Sequence, residues 1–198
     1  MTSPKQCVTR VRRMRNDIIE YLQSEVRRRC ESESNFFGMG CYYHICAVVE
    51  NAVYLAERYG ADVEAVTIAA WLHDIASVTD YLLYDEHHIH GARMAEEILG
   101  GFGYDKIGLV KRCILNHRGS RLSEKRSVEE ICVADADAVS HFDSVPSLFY
   151  LAYVKRNMSI AEGVEFVRGK LERSFNKLSE QSKALYSDKY NEVMKVIR

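Results

Sequence analysis

A histidine and an aspartate stand side by side in the window Ala69-Ala70-Trp71-Leu72-His73-Asp74-Ile75-Ala76, whose other residues are all apolar. A window of this kind belongs in a protein interior, where an imidazole beside a carboxylate is costly unless the pair is matched by other polar groups or bound to a metal. The chain must therefore fold so that further polar side chains converge on His73 and Asp74. Candidates are spread along it: His44 upstream, and His87, His88, His90, His117 and Asp135 downstream. The set suggests a metal site assembled from several segments.

Those segments read as helices. There are only two prolines, Pro4 and Pro146, and no period-2 apolar alternation bounded by turns. Helical spacing recurs instead, as in Val8, Val11, Ile18, Leu22 and Val26, and again in Ile160, Val164, Val167, Leu171 and Phe175. Ser127…Glu130 and Ser159…Glu162 have the spacing of capping boxes. Gly60, the Gly100–Gly103 stretch and Gly119 supply breaks. Helices are expected near 8–30, 43–59, 62–76, 88–99, 105–117, 127–142, 145–157, 159–178 and 181–197. The expected architecture is all-α, one domain over residues 1–198. Its metal-binding core covers about 40–145, with the N-terminal helix 8–30 and the C-terminal helices 145–198 packed on it.

Helical phase tests each candidate ligand, because residues three, four or seven apart share a face. Asp135 lies with Ile131, Ala138 and Phe142, and so is expected in the core. Asp137 falls roughly 200° away on the same helix and is expected elsewhere. His117 lies with Val110, Cys113 and Ile114; His44 with Val48 and Leu55; His73 with Val66, Ala69 and Ala70.

Composition limits the function. Lys and Arg total 27 against 28 Asp and Glu, so no overall field draws nucleic acid or a membrane surface. No apolar stretch is long enough to span a bilayer, and the N-terminus lacks the apolar run of a signal peptide. The six cysteines form no Cys-x-x-Cys pair and read as reduced, mostly buried thiols in a cytoplasmic setting.

The order His44 … His73-Asp74 … His117 … Asp135 resembles the HD-domain superfamily of metal-dependent phosphohydrolases, in particular its small stand-alone hydrolases. The local contexts that carry the resemblance are Leu72-His73-Asp74-Ile75, the stretch from His90-Gly91-Ala92 to Ile98-Leu99, Asn116-His117, and Val133-Ala134-Asp135-Ala136-Asp137. The resemblance implies an HD-type helical bundle with a helical C-terminal extension, and a primary metal shell of His44, His73, Asp74 and Asp135. His117, together with His87 or His88, would bind a second ion or substrate phosphate. The family register favours His87, four residues before Gly91, whereas helical phase favours His88; His90 is the least aligned. One departure is evident. Such relatives often follow the Asp-Ala-Asp element with Arg or Lys, whereas this chain continues Ala138-Val139-Ser140.

Mixed imidazole and carboxylate ligands suit one or two divalent Mn, Fe, Co, Ni or Zn ions. A water on such an ion becomes hydroxide-like near neutral pH and can attack a phosphorus atom. Asp74 can ligate, orient that water or bridge two ions, and His117 is the second candidate catalytic group. Phosphate needs cationic donors, and the basic loop after His117 offers Arg118 and Arg121. The Arg27-Arg28-Arg29 cluster reads as the end of the first helix, where cations complement the helix dipole. Phe149, Tyr150 and Tyr153 read as core residues, with base stacking as their other use. The expected activity is hydrolysis of a phosphate ester or anhydride in a nucleotide-like, phosphorylated small molecule. No nucleic-acid or membrane partner is expected, and a homodimer is compatible with the sequence. Two other readings stay open: an HD-type di-iron oxygenase, and a non-catalytic metal- or nucleotide-binding module.

Overall fold

Two helices in this protein are buried on nearly every side, and the other described helices are arranged about them. The computed structural model describes residues 14–118 and 127–197. Among the described residues the structure is helical throughout, with no strand. The elements are α1 (Asn16–Cys30), α2 (Gly40–Tyr59), α3 (Val63–Leu72), α4 (Ile75–Thr79), a 3₁₀ turn (Tyr81–Glu86), α5 (His87–Gly101), α6 (Ile107–Asn116), α7 (Val128–Asp143), α8 (Val145–Tyr150), a π turn (Leu151–Lys155), α9 (Ile160–Lys177) and α10 (Glu180–Val196). No helix among these residues is long and apolar enough to cross a membrane.

The central pair is α3, buried from Glu64 to Leu72, and α7, buried from Cys132 to Phe142. Helix α7 packs most extensively on α2 and also touches α3, α6, α8, α9 and α10, while α3 sits among α1, α2, α6 and α7. A helix enclosed on every side has no polar face to lose, so its amphipathic stripe is weak.

The helix starts are largely those expected. Asp62 caps α3 by accepting from the Ala65 amide at 3.0 Å. The box at Ser159 and Glu162 is complete. The box at Ser127 is only half made: Ser127 accepts from the Glu130 amide, but the Glu130 carboxylate instead accepts from Asn116 Nδ2 at 2.8 Å. Helix α2 stops at Gly60, whose φ of 72° is the left-handed conformation that glycine adopts without penalty.

Two expected helices are interrupted. The one expected over 62–76 breaks at His73 and Asp74, where Asp74 takes φ −109° and ψ 15°, between α3 and α4. This sparsely allowed bridge region is common at active sites. The helix expected over 145–157 runs as α8 to Tyr150 and then widens into the π turn. Of the helix expected over 8–30, residues 8–13 lie outside the described residues.

Helix α9 approaches the π turn closely because Gly163 has no side chain. A Cβ there would lie 2.2 Å from the Tyr153 ring, itself stacked on Phe149. Alanine is favoured over glycine inside a helix by roughly 1 kcal/mol, but forcing the ring aside costs about 1–3 kcal/mol. Gly163→Ala is therefore expected to destabilise the fold, read as a lower urea midpoint, and Tyr153→Ala in the same chain should relieve the loss. A single variant at least as stable as the parent would show that the ring moves freely.

Candidate metal centre

The break between α3 and α4 aims His73 and Asp74 at one point, which four other elements then surround. His44 comes from the second turn of α2, His87 from the start of α5, His117 from the end of α6, and Asp137 and His141 from one face of α7. Asp74 stands in the middle. Its Oδ2 lies 3.5 Å from His73 Nε2 and 4.0 Å from His44 Nε2, while its Oδ1 lies 3.3 Å from His87 Nε2 and 3.9 Å from His117 Nε2. Asp137 Oδ1 is 3.4 Å from His44 Nε2. Three overlapping groups result, each compact enough to hold an ion: His44, His73 and Asp74; Asp74, His87 and His117; His44, Asp137 and His141.

Hydrogen bonding fixes which nitrogen each ring presents. His73, His87 and His117 occupy the C-cap positions of α3, the 3₁₀ turn and α6. Their Nδ1 atoms lie 2.8, 2.6 and 2.6 Å from the carbonyls of Ala70, Tyr84 and Ile114, each three residues back. A carbonyl only accepts, so all three Nδ1 atoms carry the proton and all three Nε2 atoms of the neutral rings are bare lone pairs. His44 follows by a longer route. The Ser140 hydroxyl gives its only proton to the Asp137 carbonyl at 2.7 Å, so it must accept from His44 Nδ1 at 3.0 Å. His44 Nε2 is left bare as well.

These lone pairs fit a cation. His73 Nε2 is buried with no hydrogen-bond partner. His87 Nε2 and His117 Nε2 face each other at 3.1 Å, an approach that two neutral acceptors resist unless positive charge lies between them. Two ligands about 2.1 Å from one ion stand about 3.0 Å apart at a right angle and about 3.4 Å apart at a tetrahedral one. The separations of 3.1 to 3.5 Å are of that size.

The electrostatics agree. Burial works to raise the Asp74 carboxyl, but the surrounding imidazoles, His73 foremost, outweigh it and hold it below the usual range. Asp137 is also held low, against burial, by the adjoining His44 and by Lys177, which lies 3.9 Å away. His117 is pulled down to about 3, chiefly by burial and next by His73.

An unfolded histidine titrates near 6.5. Between about pH 6.5 and about 3 the unfolded chain therefore binds a proton that folded His117 refuses. Stability of the metal-free protein should fall as pH drops through that window, by up to about 1.4 kcal/mol per unit from this residue. Urea midpoints of chelator-treated protein at about pH 7.5 and about pH 5 check the sign; an equal or higher midpoint at the lower pH would contradict it.

Of the residues expected at the site, the structure brings together His44, His73, Asp74, His87 and His117. Asp135 is corrected. Its carboxylate accepts from the Ser179 amide at 3.0 Å and from the Ser179 hydroxyl, holding the start of α10 away from the cluster. Asp137 stands where Asp135 was expected. His88 lies beside His87, with ring centroids 5.9 Å apart, and joins none of the three groups; His90 turns towards Glu86, at 3.9 Å. Arg118 donates to the Asp85 carbonyl and is not part of the cleft wall, while Arg121 lies outside the described residues. His141 went unnoticed in the sequence, although it follows Asp137 by four residues and so shares its face.

A cleft of about 110 Å³ opens over the cluster between Phe37, Cys41, Tyr84, His141, Leu148 and Lys170. Phe149 and Tyr153 stack on each other outside it. Cys41 Sγ lies 3.3 Å from Cys30 Sγ, and both thiols are free.

The HD-domain family profile matches residues 41–141, which contain every member of the cluster. The chain belongs to the HD-domain family. Across 104 residues, 52% of this chain, it is 31% identical to ribonuclease Y of Rubrobacter xylanophilus, and it spans 19% of that relative's length. Two solved structures share the fold. Bacillus subtilis YpgQ superposes with a TM-score of 0.68 at 17% identity, over 92% of this chain and 93% of its own. A predicted HD superfamily hydrolase from an uncultured Thermotogales bacterium gives 0.53 at 22% identity, over 77% and 84%.

Proposed function

We propose that this HD-domain protein is a metal-dependent phosphohydrolase, cleaving a phosphate ester or anhydride in a nucleotide-like small molecule. The observation that carries the proposal is the 3.1 Å approach of the His87 and His117 Nε2 lone pairs beside an Asp74 that offers one oxygen to each half of the cluster. His44, His73, Asp74 and Asp137 would hold a first divalent ion, and Asp74, His87 and His117 a second. When bound, such ions polarise a phosphoryl oxygen and acidify water.

The chain's own residues supply the rest. Asp74 would orient the attacking water, a role that suits a carboxylate held below its usual range. His117 stays neutral there, which suits a ligand and not a general acid. Two relatives are named as a hydrolase and a ribonuclease, which supports hydrolysis of a phosphorus–oxygen bond. A small molecule is favoured over a polymer by the cleft. A water needs about 10–15 Å³ on this measure, so 110 Å³ admits a phosphoryl group and part of its carrier. The formal net charge of −1 adds no attraction for RNA.

The test is metal analysis of protein purified without added ions, followed by a turnover screen. Nucleoside mono-, di- and triphosphates, cyclic nucleotides and simple phosphodiesters are offered with Mn²⁺ or Co²⁺. A wild-type protein that contains no transition metal and takes up none would end the proposal. The two-sided use of Asp74 also suits the di-iron oxygenase reading, for which an iron-rich protein that consumes O₂ without hydrolysing phosphate would decide. Tight nucleotide binding with no turnover would favour the non-catalytic module.

A further inference from the structure

Helix α9 contributes two lysines to the centre, and only one of them is engaged. Lys170 and Lys177 are seven residues apart and share a face. Lys177 lies 3.9 Å from Asp137, where it offsets that carboxylate's charge. Lys170 lines the cleft alongside His44, Asp74 and His141, and its ammonium makes no hydrogen bond or ion pair with any described residue. A cation set into a cleft wall with no partner is costly. Burial pulls Lys170 below the ordinary lysine value while Asp137 works against that. The cation often found directly after the Asp-Ala-Asp element is absent here, where Ala138 follows Asp137. Of the two arginines suggested by sequence, Arg118 donates to the Asp85 carbonyl and is not in the cleft wall, and Arg121 lies outside the described residues.

Resting on the phosphohydrolase reading, we infer that Lys170 is the side chain that binds the substrate's phosphate, supplied to the cleft from α9 in place of a basic residue on α7. The Ser147 hydroxyl, which lies in the same wall and accepts from Ser144 Oγ at 2.7 Å, keeps its own proton and adds a neutral donor to that wall. The organic part of the substrate then lies towards Phe37, Tyr84 and Leu148. An ammonium on a flexible stem acts as a point charge, so it suits a phosphate whose orientation is set elsewhere, by the ligand cluster.

The experiment measures inorganic phosphate binding by calorimetry to Mn²⁺-loaded wild type, Lys170→Met and Lys170→Arg, with metal content determined on each sample. Methionine keeps the stem and removes only the charge. Lys170→Met is expected to bind phosphate on the order of 10- to 100-fold more weakly, the usual effect of losing one charge-assisted hydrogen bond, with unchanged metal content. Lys170→Arg should recover part of the affinity. For whichever substrate the turnover screen reveals, KM should rise by a similar factor with kcat changed little. Wild-type affinity in Lys170→Met overturns the inference and leaves the phosphohydrolase reading standing, as does loss of metal from that variant, which would make Lys170 a support of the centre. A metal-loaded wild type that binds no phosphate overturns both.

Discussion

Asp137→Asn is expected to lose the metal, and Asp135→Asn to keep it. Asp137 Oδ1 sits 3.4 Å from His44 Nε2 at the cluster, so an amide in its place removes a negative ligand atom. Loss of a supporting group around a metal ligand typically weakens binding by 10- to 100-fold, and loss of a ligand should exceed about 100-fold. Asp135 instead accepts two hydrogen bonds from Ser179 and is 3% exposed. An amide there would turn a donor towards a donor at the head of α10, costing about 1–3 kcal/mol of stability with the metal retained. Metal analysis and urea denaturation of the two variants separate these outcomes. If Asp135→Asn emptied the site while Asp137→Asn left it loaded, the placement of α7 would be wrong.

The second large effect concerns Asp74, which belongs to two of the three ligand groups. Asp74→Ala should empty both halves of the site and lower turnover by on the order of 10³-fold or more, since metal activation supplies several kcal/mol of transition-state stabilisation. His117→Ala should be milder in metal content. The group His44, His73 and Asp74 survives it, so if the wild type loads two ions per chain, this variant should keep one. Equal losses from both variants would mean that the two halves do not load independently. A wild type with a single ion that His117→Ala leaves in place would mean that the second half is not a metal site.

The contrast between Asp135 and Asp137 shows what sequence could and could not convey. Histidines at the ends of helices were readable because α5 and α6 each bury a recognisable stripe, with His117 on the stripe of Val110, Cys113 and Ile114. The all-helical architecture was readable for the same reason. Helix α7 offers no such stripe. It is buried from Cys132 to Phe142, so a phase argument that sends one aspartate inward and its neighbour outward has no outside to send it to. Both carboxylates are interior and serve different partners, and only the fold reveals that Ser179 waits on one side and His44 on the other. The break at His73 and Asp74 was hidden similarly, because the apolar run through it continues without a glycine or proline. Asp137 and His141, one turn apart, share a helical face, and that spacing is the trace they leave in the sequence. Lys170 could not be assigned, since nothing in a lysine on an amphipathic helix distinguishes a cleft from solvent.

The three histidines that end α3, the 3₁₀ turn and α6 each hold their own helix's carbonyl through Nδ1. Their rings are consequently steered by the backbone turn on which they sit, and the rotamer freedom that an ion would otherwise have to freeze is already surrendered when the chain folds. The cage is a property of the polypeptide before any ion arrives. Were an ion to leave such a cage, the same opening would remain for the next, and availability would join ligand type and geometry in choosing the occupant.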